Sequence, residues 1–223
     1  MHSNQRGLTV NYVLYYAPGA ASMAVHWMLV EAGVPFEAVL VDIDAGTQRS
    51  PEYLRLNPSG RVPTLVIDGV PHEESAALLM LLAEQHPETG MMPAPGSPDR
   101  ADWLEMMVYL ANTLLPAMRD WFYAGKDGDP SGAEAVSSLA TRRIEGAWVR
   151  LDARLAGGRT HLVGNRLSAA DLLGMMLMRW SRNMPRPATA WPHLAAYIER
   201  LRALPSFIEV SKREGLADWP SAT

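Results

Sequence analysis

Residues 86–98 hold four prolines and two glycines, a composition that continues neither a helix nor a central strand. The hydrophobic pattern differs on the two sides of this stretch. Before it, short β-branched and aromatic runs alternate with helix formers; after it, only helical spacing is found. The chain is therefore expected to fold as two units, residues 1–87 and 99–223, joined by a linker over 88–98.

The first unit reads as strand, helix, strand, then two strands and a helix. Residues 8–16 are rich in side chains that suit a buried strand, and Pro18-Gly19 breaks the run. Ser22 precedes a helix over 23–32, in which Met23, Trp27 and Val30 recur at helical spacing before Gly33 and Pro35 stop it. Residues 36–43 give a second strand, and Ser50-Pro51 opens a short helix ending near Leu56. Residues 62–67 and 70–72 form a hairpin across Asp68-Gly69, whose tolerance of positive φ suits a tight turn. A further helix starts at Glu74-Ser75. This βαβ–ββα order predicts an α/β layer with helices covering a four-stranded sheet.

The second unit is expected to be all-α, with helices over 99–121, 133–155, 168–182 and 192–204. Its clearest start is Ser168-Ala-Ala-Asp171, a capping box, with Leu167 placed to staple onto Leu172.

Composition narrows the chemistry. The absence of cysteine excludes disulfides, thiolate metal ligands and a protein-thiol nucleophile, so any thiol chemistry must use a thiol from outside. The formal net charge of −4 gives no basic field for a nucleic-acid backbone. No apolar run reaches the roughly 18 residues of a membrane span. The first seven residues lead into no signal-peptide core, so a cytoplasmic protein is expected.

Two motifs carry binding chemistry. Pro63 stands at the first residue of a strand, where it gives no hydrogen to the ladder. A cis peptide at Val62-Pro63 would lift the N–H and C=O of Val62 out of the sheet, free to pair with a peptide-like ligand; an edge-strand proline in trans has the same spacing. Glu74-Ser75 sits at a helix start, where exposed N–H groups and the positive dipole end favour a ligand carboxylate and Glu74 is available to an ammonium group. The same dipeptide also reads as a plain N-cap.

The combination Leu56-Asn57-Pro58-Ser59-Gly60-Arg61-Val62-Pro63-Thr64-Leu65, Glu74-Ser75-Ala76-Ala77-Leu78 and Ser168-Ala-Ala-Asp171 resembles the cytosolic glutathione transferases, over about residues 10 to 216. Leu14-Tyr15-Tyr16-Ala17-Pro18-Gly19-Ala20-Ala21-Ser22 and Arg213-Glu214-Gly215-Leu216 are most similar to the bacterial beta class. The resemblance implies a thioredoxin-like N-terminal domain that holds glutathione, a helical C-terminal domain with a hydrophobic pocket, and a homodimer engaged in detoxification. It implies that Val62 pairs with the cysteinyl part of glutathione, that Pro63 is cis, that Glu74 and Ser75 hold the γ-glutamyl end, and that Arg61 assists with a carboxylate. Ser168 and Asp171 carry over as a folding motif without chemistry.

The sequence departs from that class at two places. The usual cysteine before the first helix aligns with Ala21, and the usual histidine of the first C-terminal-domain helix aligns with Leu115. Activation of the glutathione thiol by hydrogen bonding remains, with Ser22 and Tyr16 as candidate donors. Tyr109, Trp121 and Trp180, with Asn112, are the candidates for the pocket that takes a small hydrophobic electrophile. Conjugation of that electrophile is the expected reaction, with no metal required. Glutathione-dependent isomerisation or lysis, and a non-catalytic binding protein on the same fold, are the alternatives.

Overall fold

The computed structural model describes residues 10–127, 129–217 and 219. Its first half contains β1 (Tyr12–Tyr16), α1 (Met23–Ala32), β2 (Phe36–Leu40), α2 (Pro51–Leu56), β3 (Thr64–Ile67), β4 (Val70–His72) and α3 (Ser75–Gln85). The strands form one sheet in the order β2-β1-β3-β4, with β2 parallel to β1 and the other pairs antiparallel. Pleating puts Tyr12, Leu14 and Tyr16 on one face. On the other, Tyr15 meets the ring of Tyr53 from α2 edge-on at 5.9 Å.

Three strands are shorter than the sequence suggests. β1 starts at Tyr12, and expected positions 8 and 9 lie outside the described residues. β2 stops at Leu40 because Asp42 turns the chain, its Oδ1 accepting the N–H groups of Asp44 and Ala45 at 3.1 and 2.9 Å. β3 starts at Thr64 rather than residue 62, since Pro63 has no N–H to offer a ladder.

The second half is helical among the described residues. α4 (Arg100–Tyr109) passes through a π-helical turn, Leu110–Leu114, into α5 (Leu115–Tyr123). Pro116, lacking an N–H, follows the turn by two residues, and the Leu115 N–H reaches back to Leu110. Then come α6 (Ala133–Leu155), α7 (Ala169–Trp180), α8 (Pro192–Arg202) and α9 (Pro205–Arg213). No helix among the described residues is long and apolar enough to cross a membrane.

α7 is buried from Ala169 to Arg179, which is why its composition is apolar all round. Both bonds of its capping box are present. The fully buried Asp171 also accepts the Leu162 N–H at 2.8 Å and the Tyr197 hydroxyl at 2.7 Å. Burial raises the pKa of Asp171 against the pull of these donors.

α9 is absent from the sequence expectation, which ends its last helix at residue 204. Pro205 instead occupies the first position of a new helix, where its missing N–H is no loss. This helix joins the two halves: Trp27 of α1 donates to Ser206 Oγ at 2.9 Å and packs edge-on against Phe207.

Candidate functional site

Three segments are linked in series, from the turn before α1 through the start of α3 to the loop before β3. The first is the turn over residues 17–22, stapled by Ser22, whose hydroxyl donates to the Ala17 carbonyl at 3.2 Å and accepts the Ala17 N–H at 3.1 Å. Gly19 has φ of 66°, a conformation that strains any other residue, and a Cβ there would lie 2.9 Å from Arg179 Nη1, so that guanidinium would have to shift. The helical half grips this glycine from two sides. Its N–H donates to Glu214 Oε2 at 2.7 Å, and its carbonyl accepts the Trp180 indole N–H at 2.8 Å.

The second segment is the start of α3. Ser75 Oγ donates to the Ala21 carbonyl at 3.0 Å and so ties α3 to the first turn. Glu74 has φ of 71° and ψ of 102° and caps α3 with no side-chain bond. A glutamate held in this region is strained, as residues at ligand clamps often are. The first N–H groups of α3 face no capping side chain, which suits an incoming carboxylate. The exposed Glu74 carboxylate suits an ammonium group.

The third segment is the loop from Asn57 to Pro63. The Val62-Pro63 peptide is cis. Among the described residues, the N–H of Val62 has no acceptor and its carbonyl no donor. This open backbone edge can pair with a peptide in the manner of an added strand. Arg61 is exposed beside it. Ser59 Oγ lies 3.0 Å from Glu73 Oε2, so this loop touches the approach to α3.

Of the two hydroxyl candidates, Ser22 has its hydrogen already in use, and the Tyr16 side chain has only a ring contact among the described residues. The Ser22 side chain is 0% exposed, and its single hydrogen is committed to Ala17. The Tyr16 ring packs edge-on against His26 at 5.1 Å, within the layer between the sheet and α1. The N–H groups of Ala21 and Ser22 have no acceptor among the described residues and stand at the positive end of α1.

The four pocket candidates separate into two groups. Trp180 touches the Gly19 turn, and Phe122 bridges it to Trp121 with ring centroids 6.2 and 5.0 Å apart. Tyr109 belongs instead to the α4–α6 contact, with the Arg150 guanidinium 4.1 Å from its ring centre. Burial raises the Tyr109 pKa and Arg150 opposes it. Asn112 lies exposed on the π-helical turn. Phe122 and Glu214 escape the sequence reading. Glu214 stood within a recognised motif, but only the fold shows that its carboxylate reaches Gly19.

Comparison with known proteins gives this geometry a context. Residues 20–85 match the profile described as glutathione S-transferase, N-terminal domain, and residues 103–205 the corresponding C-terminal domain. A curated relative, glutathione S-transferase GST-4.5 of Xanthomonas campestris pv. campestris, is 32% identical over 209 residues, covering 91% of this chain and 98% of that protein. Maleylacetoacetate isomerase of Dictyostelium discoideum is 30% identical over 206 residues, covering 88% and 91%. The solved structure of a sphingomonad glutathione S-transferase complexed with glutathione aligns with a TM-score of 0.79 at 34% identity, over 92% of this chain and 100% of that one.

Proposed function

The chain belongs to the glutathione S-transferase family, and on that premise we propose that it binds glutathione along the Val62 edge and transfers its thiolate to a small hydrophobic electrophile. The observation that carries the reading is the N–H and C=O of Val62, unpaired among the described residues, set in a site that also contains the uncapped start of α3. Val62 and Pro63 take the cysteinyl backbone, while the first N–H groups of α3 at Ser75 take the γ-glutamyl carboxylate. Glu74 takes the γ-glutamyl ammonium, and Arg61 lies close enough along the loop to favour a carboxylate.

Activation of the thiol falls to the backbone. Lowering a thiol pKa from about 8.5 to about 6.5 requires about 2.7 kcal/mol of preference for the thiolate. The N–H groups of Ala21 and Ser22 and the positive end of α1 are of the right kind and size for this. Ser22 then acts through its amide, with its hydroxyl holding the turn, and the half-buried Tyr16 packs against His26 of α1. Proximity of thiolate and electrophile supplies the remainder of the rate. Trp180, Phe122 and Trp121 offer an aromatic wall to the electrophile, with Tyr109 and Asn112 further out along the helical half.

The test is the ultraviolet thiolate absorbance of glutathione titrated with pH in the presence of the protein. A midpoint well below about 8.5 supports the reading; an unshifted midpoint at saturating protein refutes thiol activation. Loss of that shift in Glu74→Ala and Ser75→Ala would assign the γ-glutamyl end.

Isomerisation with glutathione as cofactor is a second reading, favoured by the maleylacetoacetate isomerase among the relatives. Incubation with cis-configured enone acids separates the two, because isomerisation consumes no glutathione. A homodimer in the cytoplasm completes the proposal. Leu104 and Val108 on α4 and Val149 on α6 are exposed aliphatic residues near the Arg150–Glu105 ion pair, and a second copy would cover them. Light scattering reads the dimer directly.

A further inference from the structure

A single carbonyl, that of Arg61, is held by two buried side chains. It accepts the Tyr53 hydroxyl at 2.6 Å and Asn57 Nδ2 at 3.0 Å. The Thr64 hydroxyl lies 2.9 Å from the Tyr53 oxygen, and Asn57 Nδ2 also reaches Thr64 Oγ1 at 3.1 Å. Because Tyr53 gives its hydrogen to Arg61, Thr64 donates to Tyr53 and accepts from Asn57, and the directions form a consistent chain. Tyr53, Asn57 and Thr64 are 4%, 2% and 0% exposed. Burial raises the Tyr53 pKa, with Thr64 opposing and Glu73 adding to it, so the phenol keeps the hydrogen it donates.

The direction of that carbonyl fixes a second group. Arg61 C=O and Val62 N–H belong to one planar trans peptide unit, in which they point in opposite directions. Holding the carbonyl inward therefore aims the Val62 N–H outward. Without the grip, the unit is free to rotate about the flanking φ and ψ, and a ligand would have to order it on binding.

The same asparagine reaches the other arm of the site. Its Oδ1 accepts the Ser59 N–H at 2.9 Å and lies 2.5 Å from Ser59 Oγ, which in turn lies 3.0 Å from Glu73 Oε2. Glu73 immediately precedes the strained Glu74. The four partners leave the Asn57 amide one orientation, with nitrogen toward the carbonyl and oxygen toward Ser59.

We propose that Asn57, with Tyr53 and Thr64, is a positioning residue for glutathione: the three orient the Val62 N–H, and Asn57 links that arm through Ser59 to the Glu73–Ser75 arm. None of the three touches the ligand; they lower the ordering cost of binding it. The proposal rests on the glutathione reading above.

Calorimetric titration with S-methylglutathione, which cannot react, tests it. Asn57→Asp replaces both donors by an oxygen and is expected to weaken affinity at least tenfold. Tyr53→Phe and Thr64→Val are expected to weaken it three- to fivefold, and Ser59→Ala about twofold, whereas Thr64→Ser, which keeps the hydroxyl, retains wild-type affinity. In steady state with 1-chloro-2,4-dinitrobenzene, the KM for glutathione rises in step while the KM for the electrophile stays within twofold. A lowered melting temperature with unchanged affinity in Tyr53→Phe and Thr64→Val would make these residues structural only and overturn the proposal, even if Asn57→Asp failed to fold. Wild-type protein that takes up no S-methylglutathione would overturn the glutathione reading itself and the positioning role with it.

Discussion

Nδ1 of His26 lies 2.9 Å from Oε1 of Glu214, and both side chains are buried, 188 residues apart in the chain. The second oxygen of that carboxylate holds the Gly19 N–H. One acidic side chain just past the last helix thus fixes α1 and the turn before it. Glu214→Ala leaves the buried His26 ring and the half-buried Gly19 N–H without this partner, which is expected to cost about 2–5 kcal/mol. Urea unfolding gives the stability, and kcat/KM of the folded fraction is expected to fall because the Gly19 turn loosens. Unchanged turnover in the folded fraction would restrict Glu214 to stability.

Ser22 and Tyr16 give a sharper contrast. Ser22→Ala removes the partner of the Ala17 N–H and is expected to destabilise the fold by about 1–3 kcal/mol, with little movement of the thiolate midpoint of bound glutathione. Tyr16→Phe is expected to leave that midpoint in place. A rise of more than one pH unit in either variant would restore that hydroxyl as the thiol donor.

Trp180 both holds the Gly19 carbonyl and begins the aromatic wall. Trp180→Phe keeps the wall but loses the hydrogen bond, worth about 1 kcal/mol, so kcat/KM is expected to drop about fivefold. Phe122→Ala opens the wall without touching the turn and is expected to raise the KM for an aromatic electrophile while sparing that for glutathione. Steady-state kinetics with each substrate varied in turn distinguishes the two effects.

Arg179 carries a pH dependence of its own. It is 4% exposed, and its pKa is pushed down to about 10, first by burial and then by Arg182, with Glu214 opposing. For a base whose folded pKa is depressed, the charged form is the one the fold resists. The cost is therefore present at every pH below about 10 and fades as the pH climbs from there toward the ordinary range of a guanidinium. Arg179→Met removes it and is expected to raise stability at pH 7 by about 1 kcal/mol or more. Denaturant unfolding at pH 7 and at pH 10.5 is expected to show that gain shrinking at the higher pH; a loss at pH 7 would mean that attraction to Glu214 outweighs desolvation.

Asp171 is the point in the helical half where substitution is expected to do most damage. Its oxygens accept the N–H groups of Leu162 and Ser168 and the hydroxyls of Ser168 and Tyr197. Asp171→Asn turns an amide toward some of these donors and is expected to cost about 3 kcal/mol or more, visible as a lower urea midpoint.

Much of the fold was legible before any coordinates. Asp68-Gly69 marked the hairpin, the proline-rich stretch marked the change to helices, and Ser168–Asp171 marked α7, because each is a local rule whose residues lie within a few positions of one another. Val62-Pro63 and Glu74-Ser75 stood out as motifs, but their spacing left the proline open between cis and trans and gave no sign of the positive φ at Glu74. Helix α9 went unread because a proline following a helix can end that helix or open the next one, and the one it opens here is only nine residues long. Ser22 and Tyr16 were legible as hydroxyls beside the start of α1, but the sequence does not show that the Ser22 hydrogen is already committed to Ala17.

Periodicity, turn chemistry and composition alone thus gave the order of strands and helices in the first half, the helical character of the second and the absence of a protein thiol. The tertiary structure alone decided that Glu214 and Trp180 grip Gly19, that Asn57 and Tyr53 grip the Arg61 carbonyl, and that Ser22 faces inward. Hydrogen bonds act only at about 3 Å, and a donor and acceptor separated by 8 or 195 residues come within that reach only once the core has packed.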